Sequence, residues 1–169
     1  MSKYFPNVHT LNDLKKEYRN LARIYHPDTG SAQASNAVMA EINTEYDALF
    51  ARLKAAHNAA AAEEGSTVHA TTETPEEFRA VVEALLKLDG LTVELCGAWL
   101  WISGDTRRHK DALKAAGCRW SASKKMWYWR HAEDGAHWSR GKSSISDIRN
   151  KYGSQVYAAG GRQAVAIEG

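Results

Sequence analysis

Between Thr10 and Tyr25 the apolar positions are Leu11, Leu14, Tyr18, Leu21, Ala22 and Tyr25, steps that put one apolar face on an α-helix. Thr10, with Asp13 three residues on, resembles a capping box, and Pro27 biases His26 out of the helical region, so the helix is predicted to end near Tyr25. After Thr29-Gly30-Ser31 a second stripe, Met39, Ile42, Tyr46, Leu49 and Leu53, predicts a second helix. The two stripes should pack on each other as an antiparallel hairpin. Neither helix buries enough alone, and Tyr4 and Phe5 are expected to close the open end of the core.

The pattern changes after residue 74. Thr74-Pro75-Glu76-Glu77 sets an N-cap, a first-turn proline and a capping glutamate in order, predicting a helix to about Leu88, closed by Gly90. LTVELCGAWLWISG alternates on both sides of Cys96-Gly97-Ala98 and reads as a β-hairpin, with Trp99 and Trp101 on one face and Leu100 and Ile102 on the other. TRRHKDALKAAG predicts a short helix ending at Gly117. CRWSASKKMWYWR predicts a second hairpin turning over Ser121 to Lys125, with Trp127 and Trp129 sharing a face, and SSISDIRNKYG predicts a last helix packed on the edge of the sheet. The order α-β-β-α-β-β suggests one antiparallel sheet with helices on one side. The fold class is therefore two-domain: an all-α helical hairpin at 1–54, a helical extension and flexible linker at 55–74, an α+β domain with short antiparallel hairpins at 75–157, and a flexible tail at 158–169.

Charge and aromatic content separate the same halves. The whole chain carries 22 Lys plus Arg against 20 Asp plus Glu, a net +2 that names no partner. Gly104 to Lys151, however, holds twelve basic residues against five acidic ones, and all six tryptophans follow residue 98. No run approaches the roughly 18 apolar residues of a membrane span, and MSKYFPNVHT lacks the apolar core of a secretory signal, so a cytoplasmic protein is expected. Cys96 and Cys118 form neither a CxxC nor a metal-ligand spacing, and no motif groups them with His109, His131 or His137. Neither a metal, a cofactor nor an enzymatic activity of this chain is expected.

One tripeptide carries more. His26-Pro27-Asp28 joins the two predicted helices, after KKEYRNLARIY and before MAEINTEYDALF. In this setting it resembles the J domain of DnaJ-type co-chaperones, over about residues 3 to 54. The resemblance implies a helical hairpin that binds a DnaK-type chaperone and stimulates its ATPase, with His26, Pro27 and Asp28 at the contact. Lys15, Lys16, Arg19 and Arg23 would form a basic ridge on α-helical spacing that steers onto an acidic surface of that partner. Without the motif, the same cations read as a solvated helix face and Asp28 as a local hydrogen-bond acceptor. The chain departs from the family at Ile24, Asn20 and Thr29, where basic residues are usual. It also has no Gly/Phe-rich segment or CxxCxGxG repeat, so the client would be chosen by the second domain and stays unknown.

Within that second domain, SGDTRRHKDALKAAGCRWSASKKMWYW resembles a small module of conjugative-element and phage proteins. Basic residues here interleave with aromatics, Arg119, Trp120, Trp129 and Arg130 among them, and Arg107, Arg108, Lys110, Lys114, Lys124, Lys125 and Trp127 form a candidate client or nucleic-acid surface, because cations suit phosphates and indoles suit stacked bases. The competing reading makes Trp120 and one member of each tryptophan pair core residues of a short sheet. The alternative function is thus an accessory protein of a mobile element that binds single-stranded nucleic acid.

Overall fold

The computed structural model describes residues 2–29, 31–66, 70–96, 99–131, 144–152 and 155–158. Thr10 Oγ1 accepts from the Asp13 N–H and Asp13 Oδ2 accepts from the Thr10 N–H, each at 3.1 Å, which satisfies two donors at the start of α1 (Leu11–Tyr25). The chain leaves helical geometry at His26 (φ −68°, ψ 134°), as expected of a residue before proline, and makes one 3-10 turn at Pro27–Thr29. Ser35 then caps α2 (Asn36–Ala61), whose last turns are the alanine-rich extension read from the sequence. Further along lie α3 (Pro75–Leu86), β1 (Leu91–Cys96), β2 (Trp99–Gly104), α4 (Lys110–Ala115), β3 (Arg119–Ser121), β4 (Met126–Trp129), α5 (Ile145–Tyr152) and β5 (Gln155–Ala158). No described helix is long and apolar enough to cross a membrane.

Two compact units divide the chain, Met1–Val82 and Glu83–Gly169. In the first, α1 and α2 run antiparallel and meet through Tyr18 and Tyr46, whose ring centroids are 4.3 Å apart. Phe50 and Phe5 flank Tyr46 at 5.7 and 6.3 Å, and Phe78 of α3 lies 6.4 Å from Tyr18. All five rings are buried. The Tyr18 hydroxyl donates to Asn43 Oδ1 at 3.0 Å, so its burial leaves that donor satisfied. Ser2 and the Tyr4 N–H donate to the Glu45 carboxylate, and Lys3 reaches Glu41 at 2.7 Å, which holds Phe5 over the core as anticipated.

Residues 71–74, expected within a flexible linker, are instead bound to the hairpin. Asn58 of α2 pairs with the Thr71 backbone in both directions, accepting from its N–H at 2.8 Å and donating to its carbonyl at 3.0 Å. Lys54 donates to the Glu73 carbonyl at 2.8 Å, and the Glu73 side chain meets Lys15 Nζ of α1 at 2.5 Å. An amide side chain matching one backbone donor and one acceptor, beside a buried ion pair, holds a segment whose composition alone suggests slack. Arg79 of α3 adds a 3.0 Å contact with Asp47 of α2.

The second unit is built on a five-stranded antiparallel sheet in the order β3-β4-β2-β1-β5. Cross-strand register puts Val93 opposite Ile102, Leu95 opposite Leu100, Leu100 opposite Trp129 and Ile102 opposite Trp127, so these residues share one face. That face is buried, and α4 closes on its side, since Gly117 at the helix end lies against the Trp129 indole. The other face carries Glu94, Trp101, Trp99 and Tyr128. Gly104 ends β2 at φ +90°, where a Cβ would collide with the Gly90 carbonyl oxygen.

The last helix was expected at the sheet's edge; α5 instead serves the face opposite α4, because Arg149 binds Glu94 in a bidentate pair at 2.6 and 2.7 Å. The strand β5 was not foreseen. Its four residues have weak alternation, and pairing with β1 rather than local pattern makes them a strand. Residues 159–169 of the expected tail lie outside the described residues.

Replacing Glu73 by Ala should destabilise the protein by about 3–5 kcal/mol, because it strands a buried ammonium. The double replacement Lys15→Met with Glu73→Leu should recover most of that loss. Urea unfolding midpoints of the three proteins check both statements; equal midpoints for wild type and Glu73→Ala would mean the pair contributes nothing.

Candidate functional site

The His-Pro-Asp segment sits at one end of the α1–α2 hairpin, and each of its residues is placed by a local bond. The His26 N–H still donates to the Ala22 carbonyl at 2.8 Å, and its own carbonyl accepts from the Thr29 N–H at 3.1 Å and the Thr29 hydroxyl at 2.7 Å. The ring of His26 is buried, and Nδ1 accepts from the Asp28 N–H at 3.2 Å. That bond requires the imidazole proton to be on Nε2. Tyr25 adds a carbonyl that accepts from the Ser35 N–H at 2.8 Å, tying the loop's exit to its entrance. Pro27 and Asp28 are exposed, the Asp28 side chain to 45%. The histidine thus works from inside, and the proline and aspartate form the outer surface.

The four cations expected as a ridge do not share one environment. Lys15 is 2% exposed and paired with Glu73, and Arg19 is 7% exposed. Lys16 and Arg23 are half-buried and lie nearer solvent, with Ile24 exposed beside them. The difference comes from residues 71–78, which pack over the Lys15 side of α1: Glu73 supplies the counter-charge and the Phe78 ring lies 5.2 Å from Lys15 Nζ. Helical spacing alone shows a face free of apolar residues; it does not show that a distant carboxylate will cover it.

In the second unit the expected surface is also divided. Arg107, Arg108, Lys110 and Lys114 are exposed in the turn before α4 and along it. Arg108 pairs with Asp105 at 2.9 Å, and His109 contacts the Asp89 carbonyl at 2.9 Å. Lys125, at φ +52° in the turn between β3 and β4, is exposed, while Lys124 beside it lies with Nζ 5.6 Å from the Trp101 ring centroid. Trp127 is 6% exposed on the core face opposite Ile102, a correction to its expected place on a binding surface. Trp120, expected in the core, is 49% exposed and meets Trp127 edge-on at 5.8 Å. It lies on β3, an edge strand only three residues long, which has little sheet beside it to cover a ring.

The opposite face joins Trp99 and Trp101, placed on one face by their spacing, to Tyr128, which the candidate surface leaves out. Trp99, Trp101 and Tyr128 form a triangle of rings with centroids 5.5 to 5.7 Å apart. Arg130 places its guanidinium carbon 5.3 Å from the Trp99 centroid. The available signal was parity: Tyr128 stands between two inward tryptophans, so it must point the other way. Glu94 on the same face is held by Arg149, whose guanidinium is pushed further toward its charged form by the hydrogen bonds to that carboxylate.

Among the described residues no three His, Cys, Asp or Glu side chains come together as a metal site. His137 and Trp138 lie outside the described residues. Burial pushes the Cys96 thiol up to about 12, with the Glu94 carboxylate adding to the shift, and burial alone pushes Cys118 up to about 12. Neither is therefore a thiolate near neutral pH. Comparison with models of known protein families, with curated proteins and with solved structures finds no match.

Both thiols should resist a disulfide reagent at about pH 8 in the native protein and react fully once it is unfolded. A thiol raised from its usual 9.0 to about 12 favours the folded state below 9, and that contribution is lost as pH rises from 9 toward 12. Reagent titration with and without denaturant, and melting temperature against pH across that window, measure the two effects. Rapid labelling of the native protein would contradict the burial of both groups.

Proposed function

We propose that the protein is a DnaJ-type co-chaperone. Its first unit binds a DnaK-type chaperone in the cytoplasm and accelerates that partner's ATP hydrolysis, and its second unit selects the target. The observation that carries this reading is the construction of the His26-Pro27-Asp28 loop, in which a buried imidazole fixes the backbone under an exposed proline and aspartate. Proline fixes φ ahead of the carboxylate, so Asp28 is presented with little conformational freedom to lose on binding. A carboxylate offered in this way suits an arginine of the partner. No bond is made or broken by this chain; its chemistry is a bias on another protein's catalytic state.

The reading assigns the electrostatic steering to Lys16 and Arg23 rather than to the four cations together, since Lys15 already has a buried counter-ion. Such a surface is thinner than the family's usual ridge, and Ile24 at 38% exposure adds an apolar contact where a cation is usual. The loop would consequently carry a larger share of the recognition.

His26→Gln should remove stimulation of a bacterial DnaK in single-turnover ATP hydrolysis while far-UV circular dichroism stays unchanged. Full stimulation by the variant would overturn the reading. Reversing Lys16 and Arg23 to Glu should slow association by roughly tenfold at low salt, with the gap closing as salt rises. An association rate indifferent to both changes would assign these cations to solvation alone.

A further inference from the structure

The face of the sheet opposite α4 has a composition the co-chaperone reading leaves unused. Cross-strand register brings Trp101 opposite Tyr128 and Tyr128 opposite Arg119, so β2, β4 and β3 each contribute to one surface. Trp99 and Tyr128 are half-exposed, stacked at 5.5 Å with an interplanar angle of 20°. Lys124 and Arg130 hold cations against the Trp101 and Trp99 rings, and Arg119 is exposed. Among the described strand residues on this face the one carboxylate is Glu94, and Arg149 takes both its oxygens. Two half-exposed rings, the buried Trp101 packed against them and three cations therefore share this face, with no unneutralised acid among its described strand residues.

We propose that this face binds single-stranded nucleic acid, with bases stacking on Trp99 and Tyr128 and phosphates taken by Arg119, Lys124 and Arg130. Unpaired bases offer π-faces to a sheet surface, whereas a duplex keeps them stacked on each other. The two cation–π contacts store the cations beside the rings and are weak enough to be exchanged for a phosphate. When Lys124 leaves the Trp101 ring, it uncovers an indole whose Nε1–H has no acceptor among the described residues. A base or sugar oxygen is a suitable acceptor. Stacking reads no sequence, so the surface should be tolerant of base identity. The exposed cations of α4 lie off this face and serve as an internal control.

The test uses the full chain and fluorescein-labelled oligonucleotides of about twelve nucleotides, a length within the usual reach of such platforms. Anisotropy is measured with deoxyribose and ribose single strands and with duplex DNA, at about 50 and 200 mM salt. Three phosphate contacts at about 0.7 each predict a loss of affinity of roughly twentyfold across that range, and Lys124→Gln with Arg130→Gln should reduce it to roughly threefold. Trp99→Ala should weaken binding roughly tenfold to a hundredfold. Circular dichroism checks its fold, and the charge variant, which keeps all three rings, tests the site independently. Lys110→Gln with Lys114→Gln, the exposed cations of α4, should change little. The ribose and deoxyribose arms tell which sugar is preferred. Any one of the following overturns the proposal: no binding at low salt, tighter binding of the duplex, equal binding by the charge variant, loss confined to the α4 variant, or binding of an acidic peptide without any oligonucleotide. The readout involves no chaperone, so its failure leaves the co-chaperone reading standing, and the reverse holds.

Discussion

A lysine and a glutamate removed from water have to find each other, and in the first unit that requirement decides which surface of the helical hairpin remains available. Lys15 and Glu73 are separated by 58 positions and both are almost wholly buried. Burying either ion alone costs several kcal/mol, so residues 71–74 cannot leave α1 without exposing the pair to water again. Asn58 and Lys54 hold the same segment by its backbone, and α3 follows from it, carrying Phe78 onto Tyr18. The aromatic cluster is thus completed by a segment from beyond the hairpin. A hairpin with an open side becomes a three-helix unit, at the expense of one side of its basic surface.

In the second unit the governing constraint is the two-residue period of the strands. Within Trp127-Tyr128-Trp129 the outer pair must enter the core if either does, and Leu100 and Ile102 opposite them fix that direction. The middle residue is then committed to the other face together with Trp99 and Trp101. One register choice therefore produces both an indole-filled core and an aromatic outer surface. The cations follow rather than lead: Lys124 reaches its ring from a turn whose next residue, Lys125, adopts a left-handed conformation.

Much of this was legible from local pattern. The helical stripes of Leu14, Tyr18, Met39, Ile42 and Tyr46, the break before Pro27 and the parity of the two tryptophan pairs follow from periods of 3.6 and 2, and the structure has them. What escaped depends on partners distant in sequence. Lys15 reads as a surface lysine until Glu73 is placed against it. Trp120 reads as core until β3 proves to be a three-residue edge strand. Trp127 is a chain neighbour of Lys124, yet strand register sends it to the core face while Lys124 reaches the Trp101 ring on the other. The strand β5 exists through its ladder with β1, and four residues of ordinary composition give no warning of it.

Two basic surfaces in one chain invite a single explanation, yet their construction argues for two kinds of recognition. Around His26-Pro27-Asp28 the cations are few, and the feature built with most care is one exposed carboxylate on a fixed backbone, which selects by geometry and charge sign together. On the sheet, cations lean on rings and the one acid among the described strand residues of that face is paired, an arrangement that would suit a polyanion held through many replaceable contacts. On the two proposals salt would weaken binding at either surface and so would not tell them apart. Their stereochemical demands would: lengthening Asp28 by one bond, as in Asp28→Glu, shifts the sole carboxylate of its loop away from the place the fixed backbone gives it, whereas losing one ring of the sheet surface would leave the others to stack.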